Sequence, residues 1–467
     1  MFARALARFV LPAYLTLAIG LNANAEELRC VYAVEETVWE SLPTRKGYES
    51  GKAASHRVDK SYSMPLALGK DYFFVVKGDK QIVFDYRARK IFRLNLRNHT
   101  YEDSFLDAFV AYYVQELTYR RARAEGLKAA KTPDAELDQE FEQFNLESVF
   151  SRRLPKDVGQ PSTPTAEILP RDKGWIASYK GKIVVDFTPS EYAVPSFCRQ
   201  SLLHFLIHGC KLHPQLWQKV AESERFPETL VYRYHRFGPS SCTFHLKSVA
   251  ESLEEWKGIP AGFTKEVRPD DPLAPVVKLF KRAREEAKPP TKEDVRRYVQ
   301  KALDGGDVLD AYLAWHEWFL QTGEYDEDLG RPILQAADRE IRTLHSVIGK
   351  EEKESERRMY DIVLALEKRS PTKKYVLAVI LANLLVDGSR FKEALDLQQK
   401  ALEANPYLAA VYFDIGHVYY LNFDMDSAWR CAEMTRALAL HHPLLRNFEK
   451  LKSQLQKDFP EDFASSK

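Results

Sequence analysis

A small group of histidine and cysteine side chains near position 208 has the chemistry of metal ligands. The group lies on, or just past, one predicted helix and consists of His204, His208, Cys210 and His213. The i, i+4 spacing of His204 and His208 places two imidazoles on one face of that helix. A zinc protease also needs a glutamate beside the first histidine, and Phe205 stands there. The spacing leaves two interpretations, a metal-dependent enzyme or two histidines packed against a sheet.

The remaining sequence carries no signature of catalysis or nucleotide binding. A G-x-S-x-G elbow, a P-loop and a G-x-G-x-x-G turn are all absent from it. The 68 Lys and Arg residues nearly balance the 67 Asp and Glu residues, so no long-range field favours nucleic acid. Adjacent acids such as Glu35-Glu36 point to different sides of their element. We therefore expect a protein that is not an enzyme, needs no cofactor and binds no nucleic acid.

The first 25 residues differ in character from the rest of the chain. Arg4 and Arg8 form a basic start, residues 9–20 are an apolar run, and Ala23-Asn24-Ala25 offers the small residues of a cleavage site. This pattern predicts a signal peptide cleaved after Ala25, with an uncleaved amphipathic anchor as the alternative. No later segment has the roughly eighteen uncharged apolar residues of a membrane span. We expect a bacterial periplasmic protein without a membrane span.

The chain has five cysteines, an odd number for a compartment in which disulfides persist. At least one of them is then unpaired or paired with another chain. Cys198 and Cys210 lie on one predicted helix, about 18 Å apart at 1.5 Å per residue, and cannot bridge each other. Cys30 and Cys242 fall in predicted strands and are the candidate partners. The sequence does not fix the pairing, and buried unpaired thiols are the alternative.

Period-two alternation of apolar and polar side chains predicts antiparallel strands in residues 28–97, with tight turns such as Gly78-Asp79. A helical pattern follows from Glu102, strands resume at Trp175, and a helix is predicted from about Ser196 to Glu222. A last hairpin closes this half. The order predicts an α+β domain, a curved antiparallel sheet with helices on one face.

A stretch rich in proline and charge, with one short helix, separates this half from an entirely helical pattern. Thr291 begins that pattern in a capping box with Asp294. The expected domains are the signal peptide at 1–25, the α+β domain at 26–258, the linker at 259–290 and a helical-repeat domain at 291–460.

The strand pattern from Asp79 to Tyr101, D-K-x-x-x-x-D-Y-x-x-x-K-I-x-x-L-x-x-x-x-x-x-Y, resembles the periplasmic lipoprotein-carrier (LolA-like) fold. The resemblance extends over about half of the chain. It implies a half-open barrel whose concave apolar face can hold an acyl chain or a partner. The alternative is that the same apolar positions pack against the helices.

Three prolines recur near the 34-residue period of tetratricopeptide repeats, each after a helix pair: Pro371, Pro406 and Pro443. The first repeat resembles that family at its packing positions, which are Leu381, Ala382, Leu385, Ala394 and Ala401, with a turn at Asp387-Gly388. The next repeat resembles it at Tyr412, Ile415, Gly416, Tyr419 and Ala428, but has Thr435 and Leu440 where Ala and Pro are usual. Small residues at these places let antiparallel helices approach closely.

The resemblance implies that the first helix of each pair lines a groove for a protein or peptide. The expected groove residues are Asn383, Phe413, His417 and Tyr420. Their alternative role is packing against the N-terminal half or the preceding helices. The leading hypothesis is thus a periplasmic scaffold that binds a protein or peptide. The other two are a carrier of an apolar ligand and a metal-dependent enzyme using His204 and His208.

Overall fold

A computed structural model of the chain describes residues 26–41, 55–130, 166–210, 214–235, 239–266, 271–285, 289–347, 353–369 and 371–463. The predicted signal peptide and His213 lie outside the described residues. The order of elements confirms the predicted fold class, because a curved, mainly antiparallel sheet precedes a run of helices.

Twelve strands form the sheet of the described chain. They are β1 (Glu27–Ser41), β2 (Ser55–Gly69), β3 (Tyr72–Lys77), β4 (Lys80–Asp85), β5 (Lys90–Asn95), β6 (Thr100–Phe105), β7 (Glu167–Arg171), β8 (Gly174–Tyr179), β9 (Lys182–Ala193), β10 (Arg225–His235), β11 (Pro239–Ser252) and β12 (Thr264–Lys265). Hydrogen-bonded neighbours follow the order β12-β6-β5-β4-β3-β2-β1-β11-β10-β9-β8-β7. The first strand is therefore central and pairs with the eleventh.

Internal contacts group the residues into two compact units. Of the described residues, unit 1 comprises those within 26–83 and 166–262, and unit 2 those within 84–130 and 263–463. This grouping places the β5–β6 hairpin together with the C-terminal helices. The domain boundaries expected from the sequence, at 258 and 290, stay a prediction.

Unit 1 has its core where two helices, α2 (Arg199–Cys210) and α3 (Pro214–Ala221), pack on the sheet. Strand β1 alternates as expected, so that Cys30, Tyr32 and Val34 are all buried. Phe205 of α2 meets Phe244 of β11 edge to face, with ring centroids 6.3 Å apart. Helix α2 thus contacts apolar side chains on this face of the sheet.

Unit 2 contains the long helix α1 (Leu106–Ala130) and a C-terminal series. The series is α4 (Ala274–Glu285), α5 (Lys292–Asp304), α6 (Val308–Thr322), α7 (Glu327–Ala336), α8 (Arg339–Val347), α9 (Lys353–Glu367), α10 (Lys374–Asp387), α11 (Phe391–Ala404), α12 (Ala409–Leu421), α13 (Met425–Leu438) and α14 (Leu445–Asp458). None of the helices in the described part of the chain combines the length and the apolarity that crossing a membrane requires.

Local signals fix several of these helix ends. Thr291 and Asp294 form the predicted capping box at the start of α5. Residues 327–347 form two helices, α7 and α8, and not one continuous helix. Asp338 accepts a hydrogen bond from the Ile341 amide at 3.0 Å and so caps a new helix.

Two successive antiparallel hairpins, α10 with α11 and α12 with α13, stand where the repeats were expected. Gly416 of α12 lies so close to α13 that an added Cβ would be 2.8 Å from Cys431 Cβ and 3.1 Å from the Ala428 carbonyl oxygen. Ala394 and Ala401 of α11 are completely buried. Small side chains therefore determine how closely these helices pack.

A buried polar network links α6 to the following helices. The Glu317 carboxylate of α6 accepts hydrogen bonds from Lys373 Nζ and from the Tyr375 hydroxyl, each at 2.5 Å. Asn405 at the end of α11 donates to the same carboxylate. Because Glu317 is 7% exposed, its charge depends on these partners for stabilisation.

Candidate functional site

Unit 2 contains a cavity of about 690 Å³. This volume lies within the range of ligand sites in proteins. The residues that line it come from β5 and β6, the start of α1, the segment around β12, and the start of α13. They include Lys90, Arg93, Glu102, Asp103, Phe105, Tyr112, Lys265, Glu266, Asp271, Phe423, Asp424, Asp426, Ser427 and Arg430.

The β5–β6 hairpin positions one wall of the cavity. The two strands pair in antiparallel register, with Lys90 opposite Phe105 and Phe92 opposite Asp103. Lys90 Nζ forms an ion pair with Asp103 Oδ2 at 2.9 Å. Lys265 of β12, a strand that runs parallel to β6, forms a second ion pair with Asp103. Asp103 therefore joins two basic side chains at this wall.

The turn between α12 and α13 positions the opposite wall. Phe423 in this turn has a positive φ of 64°, a left-handed conformation that aims the chain into the next helix. Asp424 then caps α13, since its carboxylate accepts hydrogen bonds from the Ser427 amide at 3.1 Å and the Ser427 hydroxyl at 2.7 Å. Asp426 accepts a hydrogen bond from the Phe105 amide at 3.2 Å. That bond ties the start of α13 to the end of β6.

A third element closes the cavity beside α13. Arg430 donates two hydrogen bonds to the Asp271 carboxylate, at 3.1 and 2.9 Å. This bidentate geometry holds the segment before α4 against α13. Burial is the largest single influence on Arg430 and disfavours its charge, but the hydrogen bonds to Asp271 and the negative charges of Asp271 and Asp426 together outweigh burial and raise the pKa of the guanidinium.

The lining carries more negative than positive groups. Six carboxyl groups (Glu102, Asp103, Glu266, Asp271, Asp424 and Asp426) face four basic groups (Lys90, Arg93, Lys265 and Arg430). Burial is the largest influence on Asp103, but hydrogen bonds from Lys265 and Lys90 oppose it and lower the pKa of Asp103. Burial is the largest influence on Asp426 and raises the pKa of its carboxyl group. The hydrogen bond from the Phe105 amide and the charges of Arg430 and Lys90 oppose burial but do not outweigh it. An additional cation beside Asp426 would favour its charged form.

The lining also carries hydroxyl and aromatic side chains. Of the described residues that line the cavity, none is a histidine or a cysteine. The Ser427 hydroxyl donates to Asp424, and the Ser104 hydroxyl accepts from Arg93 at 2.9 Å. Tyr112, which is 40% exposed, adds an aromatic surface at the edge of the cavity.

The four residues expected in the repeat groove have different surroundings. Asn383 is exposed and donates a hydrogen bond to Asp414 Oδ2 at 3.2 Å. His417, one turn after Asp414 on α12, is exposed as well. Phe413 and Tyr420 instead pack against an apolar cluster to which α1 contributes. Gln115 of α1 donates to the Tyr420 carbonyl oxygen at 3.2 Å, so α1 lies beside this part of α12.

The expected metal ligands lie in unit 1. His204 and His208 are both buried on α2, with ring centroids 6.2 Å apart. His204 Nε2 is 3.0 Å from Gln200 Nε2, and Cys210 is fully buried. Across the described residues, no three or more His, Cys, Asp or Glu side chains are grouped as a metal site. His213 lies outside those residues.

Sequence reasoning did not find the cavity, although one signal was available. Asp424, three residues after the end of α12, is a typical N-cap residue, and Asp426 lies in the first turn of the helix that follows. The opposite wall lies more than 300 residues away in the sequence, with Phe105 bonded to Asp426. Comparison with protein-family models gives no match for this chain, and comparison with curated proteins gives no significant relative.

Proposed function

We propose that unit 2 is a non-enzymatic binding module that holds a segment of a peptide or protein partner in the cavity between the β5–β6 hairpin and α13. The excess of carboxyl groups in the lining carries this proposal. A Lys or Arg side chain of the partner would enter beside Asp426 and compensate its buried charge.

The polar character of the cavity supports a peptide over a lipid. Charged side chains dominate its lining, and burying them against an acyl chain would cost free energy. Backbone amides and carbonyl groups of a peptide can hydrogen-bond to such a surface, while aromatic rings such as Tyr112 offer apolar contact. The partner class is therefore an extended peptide with a basic residue.

The helical hairpins support the same class of partner. The sequence of α10 to α13 has small residues at positions that resemble those of tetratricopeptide repeats, whose stacks bind peptides and proteins. Exposed Asn383 and His417, together with the half-buried Asp414, form a polar row along the first helices of the two hairpins. We also propose that the protein works after export to the periplasm, which the first 25 residues predict.

A selection from a random peptide library tests the proposal across all peptide sequences at once. The immobilised full chain should enrich peptides that contain Lys or Arg. Asp426→Asn should remove that enrichment, because the amide oxygen still accepts from the Phe105 amide while the charge is lost.

Asp328→Asn is the matched control. It removes one negative charge from α7 at a side chain that is 85% exposed and lies outside the cavity lining. The control should select the same basic peptides as the natural chain. Equal enrichment of basic peptides by Asp426→Asn, or no basic enrichment by the natural chain, would contradict the proposal.

A further inference from the structure

Four of the five cysteines lie in unit 1, at the interface between α2 and the sheet. Cys30 is in β1, Cys242 is in β11, Cys198 directly precedes α2, and Cys210 ends it. All four are at most 2% exposed. The fifth, Cys431, belongs to α13 of unit 2 and is buried there.

Strand register places the two strand cysteines on one face of the sheet. In the pairing of β1 with β11, Val34 lies opposite Phe244 and Glu36 lies opposite Cys242. Directly opposed residues share a face, and successive even-numbered residues of β1 share it too. Cys30 and Cys242 therefore point to the same side of the sheet as Phe244. That is the side covered by α2, because Phe244 contacts Phe205.

The distance between the two helix cysteines nearly equals the distance between the two strand cysteines. Twelve residues of helix separate Cys198 from Cys210, which corresponds to about 18 Å. Cys30 is six residues from Glu36, the position opposite Cys242, which corresponds to about 20 Å along the strand. The difference of about 2 Å is small beside the range of Cα separations that disulfides accept. A helix crossing this face can thus bring each of its ends to one strand cysteine.

Other contacts fix which end meets which cysteine. Near the start of α2, Ser201 donates to the Lys70 carbonyl oxygen at 3.2 Å. Lys70 follows Gly69, which pairs with Glu27 at the Cys30 end of β1. The end of α2 therefore points toward Cys242.

The electrostatic surroundings of the thiols agree with this direction. Burial is the main cause of the raised pKa of Cys30, and the neighbouring Cys198 raises it further. Burial likewise raises the pKa of Cys210, with Cys242 as the neighbouring group. Each helix cysteine thus has one strand cysteine as its neighbour.

We propose that unit 1 forms two disulfides, Cys30 with Cys198 and Cys210 with Cys242, which fasten both ends of α2 to the sheet and leave Cys431 as the remaining thiol. In each reaction two thiols lose two protons and two electrons and form one S–S bond. A disulfide-bearing oxidant, either a small molecule or a protein, takes them up and becomes two thiols.

The bonds form before folding is complete. Burial raises the pKa of Cys198 and of Cys242 to about 12, so the folded protein offers very little thiolate to an oxidant. Oxidation then requires the unfolded or partly folded chain. The two disulfides close loops in the unfolded chain and so lower its conformational entropy. Because the unfolded state is then less favourable, unit 1 is stabilised.

Peptide mapping of the full chain tests the pairing. The same sequence is produced in an oxidising and in a reducing compartment, alkylated in denaturant and digested without reductant. Mass spectrometry of the oxidised preparation should find the peptides of Cys30 and Cys198 joined, those of Cys210 and Cys242 joined, and alkylation at Cys431 alone. Its melting temperature should exceed that of the reduced preparation and fall to the same value with reductant.

Other pairs, or five alkylated cysteines in a folded protein from the oxidising compartment, would overturn the proposal. Cys30→Ser should expose Cys198 to alkylation and leave the second bond in place. Cys431→Ser is the control and should change neither bond. The peptide mapping of the natural chain decides between these outcomes by itself. A variant that fails to fold therefore does not affect the test. The outcome is also independent of whether unit 2 binds a peptide.

Discussion

Protonation of one buried histidine, His316, should contribute to the destabilisation of unit 2 by acid. His316 of α6 is 6% exposed, and its Nε2 lies 3.2 Å from the Tyr312 hydroxyl. Burial is the main cause that lowers the pKa of His316 from 6.5 to about 3, and His345, whose ring centroid is 6.4 Å away, lowers it further. The folded state therefore strongly prefers the neutral imidazole.

The sign and the size of the effect follow from proton linkage. Because the folded-state pKa lies below the unfolded value, the stability is fully present above pH 6.5 and is lost as pH falls toward 3. Between pH 7 and pH 5 the unfolded state gains about three quarters of a proton while the folded state gains almost none. Folding should lose about 2 kcal/mol over this interval from His316 alone.

Urea denaturation at pH 7 and pH 5 measures this loss. His316→Gln keeps a hydrogen-bonding group near Tyr312 but does not titrate, so the variant should be less stable than the natural chain at pH 7. The difference between the two should shrink by about 2 kcal/mol at pH 5. His417→Gln, at an exposed position of α12, should retain the natural pH dependence. The reasoning is refuted if His316→Gln loses as much stability on acidification as the natural chain.

Two further substitutions test the packing of unit 2. Asp414→Asn should stabilise the fold at pH 7 by about 1 to 2 kcal/mol, because burial raises the pKa of Asp414 to about 6 and the folded state therefore disfavours its carboxylate. The gain should fade by pH 4 in urea melts, and a loss of stability at pH 7 would contradict the assignment. Lys373→Met should cost about 3 kcal/mol, since it leaves the buried Glu317 without its cation. Arg390→Met, at an exposed ion pair with Glu393, should stay close to the natural chain in the same thermal melts, and equal losses would contradict the account.

Local signals in the sequence predicted much of the fold. Period-two alternation predicted the strands around Gly78-Asp79, and the change of period predicted a helix after the hairpins. The capping pair Thr291 and Asp294 marked the start of α5. These features depend on residues close in sequence, so propensity and spacing are sufficient to recognise them.

Such local signals do not predict which distant segments of the chain pair with each other. Alternation shows which face of β1 is buried but not that β11 is its neighbour. The cavity depends on Asp426 meeting the Phe105 amide, and nothing in either local sequence specifies the other. The same limit applies to the cysteines: spacing excluded a bond between Cys198 and Cys210, while the choice of partners required the register of the sheet.

Photo-crosslinking from within the cavity tests the central claim most directly. A photoreactive phenylalanine analogue would replace Tyr112, which is 40% exposed and lines the cavity, or Tyr325, which is 43% exposed and does not. Position 112 should capture one partner segment containing Lys or Arg, and position 325 should not. Equal capture from both positions, or specific capture only from an analogue at His417, would contradict a binding site in this cavity.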